Sequence, residues 1–69
     1  MAELSSAVSS FLMSEPKRNR MIFVRRYWYY DSIESISEAF GISSGTAGSI
    51  LFRMRKRLKK YLQKEGYDL

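Results

Sequence analysis

The sequence contains no cysteine and no histidine, and a single proline stands among its 69 residues. Without cysteine, neither a disulfide framework nor a thiolate metal site can hold the domain together, so its stability must come from packing. Without histidine, the commonest general base and the commonest zinc ligand are missing, and seven carboxylates remain as acid–base groups. We therefore expect no enzyme, no metal and no cofactor.

Long apolar runs are also missing. The longest, Met21–Val24, is far shorter than the roughly 20 residues of a membrane span. The first residues lack the basic segment and the apolar segment of a signal peptide. We therefore expect no membrane association and a cytoplasmic location. A hydrophobic content of 45% predicts a single folded domain over residues 1–69, expected to be a monomer.

Positive charge is in excess and unevenly placed. Twelve Lys and Arg against seven Asp and Glu give a net charge of +5. Residues 53–60 hold six of the basic residues and no acidic one, whereas residues 27–52 hold no basic residue. A basic surface near the C-terminus indicates an acidic partner, and nucleic acid is the first candidate.

The spacing of apolar residues predicts an all-α fold. Residues 22–30 are rich in β-branched and aromatic side chains and could also form a strand, but no second strand is available to pair with it. Helix is therefore preferred there. The predicted helices cover about residues 2–13, 15–28, 32–40 and 44–64.

Capping residues divide these helices. Ser14 is the predicted N-cap of the second helix, Asp31 or Ser32 that of the third, and Ser43 that of the fourth. Gly41 can end the third helix in the left-handed conformation that glycine adopts without strain.

The fourth helix has an apolar face and an exposed face. The residues expected to point inward are Ala47, Leu51, Met54, Leu58 and either Tyr61 or Leu62. Those expected to point away from the core are Gly45, Ser49, Phe52, Arg53, Lys56 and Lys60.

A short helix, a glycine-containing turn and a longer helix together fit a helix-turn-helix, in which the second helix enters the DNA major groove. The expected architecture is a four-helix, winged-less helix-turn-helix domain with a long C-terminal recognition helix. A helical hairpin that serves only as a structural core remains the alternative.

Two motifs make the sequence similar to a known family. Gly-Ile-Ser-x-Gly-Thr begins at Gly41, and Arg-x-Arg-Lys-x-Leu begins at Arg53. With Phe23–Trp28 and Ser32–Phe40, they make residues 11–62 resemble region 4 of bacterial RNA polymerase sigma factors, in particular the extracytoplasmic-function type.

This resemblance implies that the domain recognises the upstream promoter hexamer in double-stranded DNA while the β flap of RNA polymerase holds it. An anti-sigma factor is a further candidate partner. The domain is normally the C-terminal part of a longer factor, so we expect an excised module or a truncated paralogue that does not start transcription alone.

The resemblance also implies roles for individual residues. Arg53 has the planar fork that suits guanine O6 and N7, a contact worth about 1–3 kcal/mol of discrimination. Phe52 could contact a thymine methyl or a sugar edge; the alternatives are a chance exposed aromatic or a contact to the flap. Hydroxyls and N–H groups at a helix start bind phosphate well. The predicted DNA-binding residues are Ser43, Ser44, Thr46, Ser49, Phe52, Arg53, Lys56 and Lys60.

Three positions depart from the family pattern. Gly48 and Ile50 stand where basic residues are usual, and Glu15 stands where leucine is usual. Ile50 is expected to make a polar flank apolar, and Glu15 only to expose the start of the second helix. Either the DNA site differs or DNA affinity is weak without the polymerase. A protein-interaction domain that binds the flap or an anti-sigma factor, with little DNA affinity, is therefore the alternative function.

The remaining features have ordinary structural interpretations. Tyr27–Tyr30 could stack on single-stranded bases, but we expect them to form core and a wall for the third helix. Glu34 and Glu38 are expected to be surface charges. The basic run from Arg53 to Lys60 could be merely a solvated helix face, and Arg55 and Arg57 could lie along the core.

Overall fold

Four helices make up the computed structural model, which describes residues 2–67 and the side chains of residues 4–67. No strand occurs within these residues, so the predicted all-α, four-helix fold is confirmed. The first, third and fourth helices have the predicted bounds to within one residue, whereas the second begins two residues later and ends one residue earlier. The helices are α1 (Ala2–Met13), α2 (Lys17–Tyr27), α3 (Ile33–Phe40) and α4 (Ser44–Lys64).

The start of α2 differs from the prediction because of the turn before it. The Ser14 hydroxyl donates a hydrogen bond to the Phe11 carbonyl at 2.6 Å, so it completes the end of α1 and does not cap α2. Proline disfavours helical backbone in the residue before it, which keeps Glu15 out of the helix. Pro16 itself takes the N-cap position, with φ −55° and ψ 146°.

The core forms around α4, which packs against each of the other three helices. Ile50 was not among the residues expected on the inward face of the fourth helix. Ile22 is fully buried, and Ile50 is 5% exposed, so the expectation that Ile50 lies on a polar flank was wrong. The contiguous buried cluster comprises Phe11, Leu12, Ile22, Phe23, Ile36, Ala47, Ile50, Leu51 and Met54.

Two arginine side chains form hydrogen bonds across the turn between α2 and α3. Arg25 Nε donates to Asp31 Oδ2 at 2.7 Å, and Arg26 Nη1 donates to the Asp31 carbonyl at 2.9 Å. Within this turn Tyr30 takes a positive φ of 56°. Ser32, one of the two predicted candidates, caps α3 by accepting a hydrogen bond from the Ser35 N–H. These contacts fix the start of α3.

The turn between α3 and α4 has the predicted caps. Gly41 has a φ of 64°, which confirms its left-handed conformation. The Ile42 N–H donates to the Ser37 carbonyl at 3.0 Å, and the Ile42 side chain packs against the core. Ser43 then caps α4. Both helix ends are therefore completed within three residues, which sets the orientation of α4 relative to α3.

Candidate nucleic-acid interface

A shallow groove of about 490 Å³ lies on the exposed face of the first half of α4. Two glycines leave it open, because a Cβ at Gly48 would meet no atom within 4 Å and one at Gly45 would meet only Ser43 Oγ, at 3.9 Å. The lining residues are Gly45, Gly48, Ser49, Phe52 and Arg53. The structure thus brings together three of the predicted DNA-binding side chains with the two glycines.

The N-terminus of α4 adjoins this groove. Ser43 Oγ accepts a hydrogen bond from the Thr46 N–H at 3.0 Å and donates one to Thr46 Oγ1 at 2.9 Å. The first N–H groups of a helix have no partner within the helix, and those of Ser44 and Gly45 remain for a ligand. These donors and the positive end of the helix dipole favour an anion at this end of the groove.

Phe52 and Arg53 form the other end of the groove. Phe52 is 54% exposed, and the Lys56 ammonium lies 5.4 Å from the centre of its ring, a cation–π distance. Arg53 is exposed and makes no side-chain hydrogen bond or ion pair with any of residues 4–67. Its guanidinium is therefore available to a ligand, and Lys60 is exposed further along α4.

The basic run of α4 is divided between this exposed face and internal contacts. Arg55 Nη1 donates to the Tyr27 hydroxyl at 2.6 Å. Arg57 binds Glu15 through two hydrogen bonds, Nη2 to Oε1 at 2.7 Å and Nε to Oε2 at 3.1 Å. The guanidinium groups of both arginines therefore have polar partners within the domain.

Glu15 is not the exposed residue that the sequence suggested, since its side chain is 8% exposed. The side-chain hydrogen bond to Glu15 raises the pKa of the Arg57 guanidinium, against a smaller lowering by burial. The pair therefore joins the turn before α2 to the second half of α4 through an ion pair with two hydrogen bonds.

A second groove, of about 280 Å³, lies along α2 and is mainly apolar. Beside it, three successive aromatic side chains are exposed: Trp28 at 60%, Tyr29 at 71% and Tyr30 at 85%. The expectation that they form core was wrong, in the case of Tyr29 and Tyr30 because they fall in the turn that follows α2. The groove is lined by Arg20, Met21, Val24, Arg25 and Tyr29.

Two structural features of this region were not predicted from the sequence. The groove depends on Gly45 and Gly48, which lie three residues apart and so share one helix face; this spacing was the available signal. The contact between Glu15 and Arg57 joins residues 42 positions apart, and nothing in the local sequence indicates it.

Within the part of the chain that the structure describes, no group of three His, Cys, Asp or Glu side chains is placed to hold a metal ion. None of the helices described is long and apolar enough to cross a membrane.

The two-helix unit α3–α4, with a grooved and partly basic second helix, defines a helix-turn-helix domain. The sequence model of the family "Sigma-70, region 4" matches residues 16–58 of the chain. This range includes α2, α3 and most of α4. The chain belongs to this family, whose domains bind DNA and RNA polymerase in transcription initiation and are not catalytic. The curated proteins and the solved structures compared with the chain gave no significant match.

Proposed function

We propose that the chain reads the upstream hexamer of a bacterial promoter through the exposed face of α4, as the C-terminal domain of an extracytoplasmic-function sigma factor. The observation that carries this proposal is the groove in which Phe52 and Arg53 lie next to the open positions Gly45 and Gly48. The major groove of B-DNA, about 12 Å wide, admits an α-helix. The missing side chains let the α4 backbone approach the bases closely.

Within this proposal the residues have different roles. The N–H and hydroxyl groups from Ser43 to Thr46 bind a phosphate at the helix N-terminus. Ser49 and Arg53 contact base edges, Arg53 as the reader of a guanine. Phe52 packs against a thymine methyl, and Lys56 and Lys60 neutralise phosphates. Base reading is thus assigned to the first three turns of α4 and phosphate contact to its start and its second half.

Selection from a pool of random-sequence DNA duplexes, carried out at low salt with the 69-residue chain, tests the proposal. We expect a short enriched site, because Arg53 and Ser49 discriminate between bases. If about four cations neutralise phosphates, the log–log salt slope for that duplex is about −3 to −4. A pool that stays random through repeated rounds would contradict sequence-specific binding.

The apolar groove on α2 supports a second, compatible role. We propose that it receives the β flap of RNA polymerase, or an anti-sigma factor, while α4 holds the promoter. Met21 is 46% exposed, and Arg20 and Arg25 at the groove suit carboxylates on a partner. Trp28, the single tryptophan, is 60% exposed beside the groove and can report binding by its fluorescence.

A chemical-shift titration separates the two roles. We expect a peptide of the flap to shift the amide signals of residues 20–30, and the selected duplex to shift those of residues 43–60. Shifts with the peptide alone would leave protein interaction as the function. Shifts of residues 43–60 with the peptide would contradict the assignment of the two grooves. We further propose that the domain acts as a monomer in the cytoplasm, where RNA polymerase works.

A further inference from the structure

Glu15 and Arg57 form a two-point contact. The two guanidinium nitrogens lie 2.7 and 3.1 Å from the two carboxylate oxygens. The Glu15 side chain is 8% exposed and the Arg57 side chain is 48% exposed. The carboxylate is thus largely enclosed, while the guanidinium that it binds reaches the surface.

Arg57 stands in line with cations that face outward. Arg53, Arg57 and Lys60 follow one another at spacings of four and three residues, so their side chains lie on successive turns of one side of α4. Arg53 and Lys60 are exposed. By position alone, Arg57 belongs with the cations that would meet a phosphate backbone.

Carboxylate and phosphate compete for the same atoms of arginine. The planar guanidinium binds two oxygens of either group through parallel N–H donors. Glu15 occupies the Nε–Nη2 side of Arg57, so a phosphate can take that bidentate side only by displacing the carboxylate. The three remaining N–H donors of the guanidinium meet a phosphate with their charge offset by Glu15. The displacement has a cost, since the largely enclosed carboxylate would lose its charged partner.

We propose that Glu15 is an intramolecular competitor of DNA phosphate that withholds Arg57 from the duplex and so lowers the affinity of the domain. This inference rests on the proposed function, because it assumes that α4 lies against DNA. Pro16 disfavours helical backbone at Glu15, and the Ser14 hydroxyl is bound to the end of α1, so the carboxylate is held in place by its turn.

The test compares salt slopes of duplex binding for the wild-type chain and Glu15→Gln, which keeps the side-chain size and removes the charge. We expect the variant to bind several-fold more tightly at low salt, with a log–log slope steeper by about 0.9 as one more phosphate is neutralised. Glu15→Leu, with an apolar side chain in a largely buried place, should give the same change. Urea unfolding shows that each variant is folded.

Two matched variants separate release of Arg57 from simple loss of negative charge. In Glu15→Gln combined with Arg57→Gln, the gain in affinity and slope should disappear. Glu38→Gln removes an exposed carboxylate from α3 and should leave the slope unchanged. A gain that persists without Arg57, or an equal gain in Glu38→Gln, would overturn the inference.

The wild-type measurement distinguishes this inference from the function on which it rests. If the wild-type chain shows no salt-dependent duplex binding, both are overturned. If it binds with a slope of about −3 to −4 and Glu15→Gln has the same slope and affinity, only the competition by Glu15 is overturned.

Discussion

The Ser43 hydroxyl holds Thr46 by two hydrogen bonds, one from the Thr46 backbone N–H and one to its side-chain oxygen. The contact completes the first turn of α4 and orients the Thr46 hydroxyl at the same time. Because the groove begins at Gly45, within that turn, the cap that starts the helix also shapes the end of the groove proposed to bind phosphate.

Replacing Ser43 with alanine should lower the free energy of unfolding by about 1 kcal/mol, because the Thr46 N–H loses its acceptor. Ser44→Ala is the matched control, since the neighbouring Ser44 side chain is exposed and makes no hydrogen bond to any of residues 4–67. Urea titration followed by circular dichroism measures both. Equal losses for the two variants would show that the cap does not stabilise α4.

Alanine substitutions at two glycines should change the stability of the domain in opposite directions. At Gly48 a Cβ meets no atom within 4 Å, so Gly48→Ala should stabilise the domain by up to about 1 kcal/mol through helix propensity. At Gly41, with a φ of 64°, Gly41→Ala should destabilise it by about 1–2 kcal/mol. Thermal unfolding compares them, and a loss of stability in Gly48→Ala would contradict the open position.

Substitutions at two nearby apolar residues of α4, one buried and one exposed, should differ in their effect on stability. Ile50→Val removes a buried methyl group and should cost about 0.5–1.5 kcal/mol in urea unfolding. Phe52→Ala, at an exposed position, should change stability by less than about 0.5 kcal/mol. In the selected duplex, replacing the contacted thymine by uracil should weaken wild-type binding about fourfold, the worth of one buried methyl. If uracil weakens binding at none of the thymine positions, the proposed Phe52 contact is excluded.

Arg53 and Lys56 should differ in how they affect DNA binding. Arg53→Ala should lower the affinity for the selected duplex by about 1–3 kcal/mol and relax the preference for one base. Lys56→Ala should weaken binding to the selected duplex and to a scrambled duplex equally. It should also make the log–log salt slope of binding about one unit shallower. Fluorescence anisotropy with both duplexes measures these effects. If Arg53→Ala lowers the affinity for both duplexes equally, Arg53 is a phosphate contact.

The helix ends were predictable because their signals are local. Gly41 and Ser43 satisfy or redirect backbone groups within a few residues of themselves, so their types and spacing place two caps. For α3 the sequence left two candidates, Asp31 and Ser32, and Ser32 is the cap. Ser14 has the same chemistry and was misassigned, because its hydroxyl reaches back to α1 and not forward to α2. A serine between two helices can complete either one, and local sequence does not decide which.

The tertiary contacts were less predictable. Ile50 lies three residues after Ala47 and four before Met54, a spacing typical of the core face, but the basic residue usual in the family suggested a surface position. The burial of Glu15 depends on a partner 42 residues away. Trp28 keeps helical backbone, with φ −98° and ψ −42°, so its exposure was not decided by the residue at which α2 ends. Ser49, Phe52 and Arg53 were named from the sequence and line the groove, but the shape of the groove was not predicted.

The separation of the groove from the core has a consequence for the evolution of such domains. Ser49, Phe52 and Arg53 lie on the outside of α4, while Ala47, Leu51 and Met54 hold the same helix against the others. Under the proposed function, target preference can therefore change by single substitutions on the outer face with little cost to folding. Duplicated copies can diverge toward different promoters on an unchanged scaffold, and a laboratory library limited to the groove positions would consist largely of folded proteins.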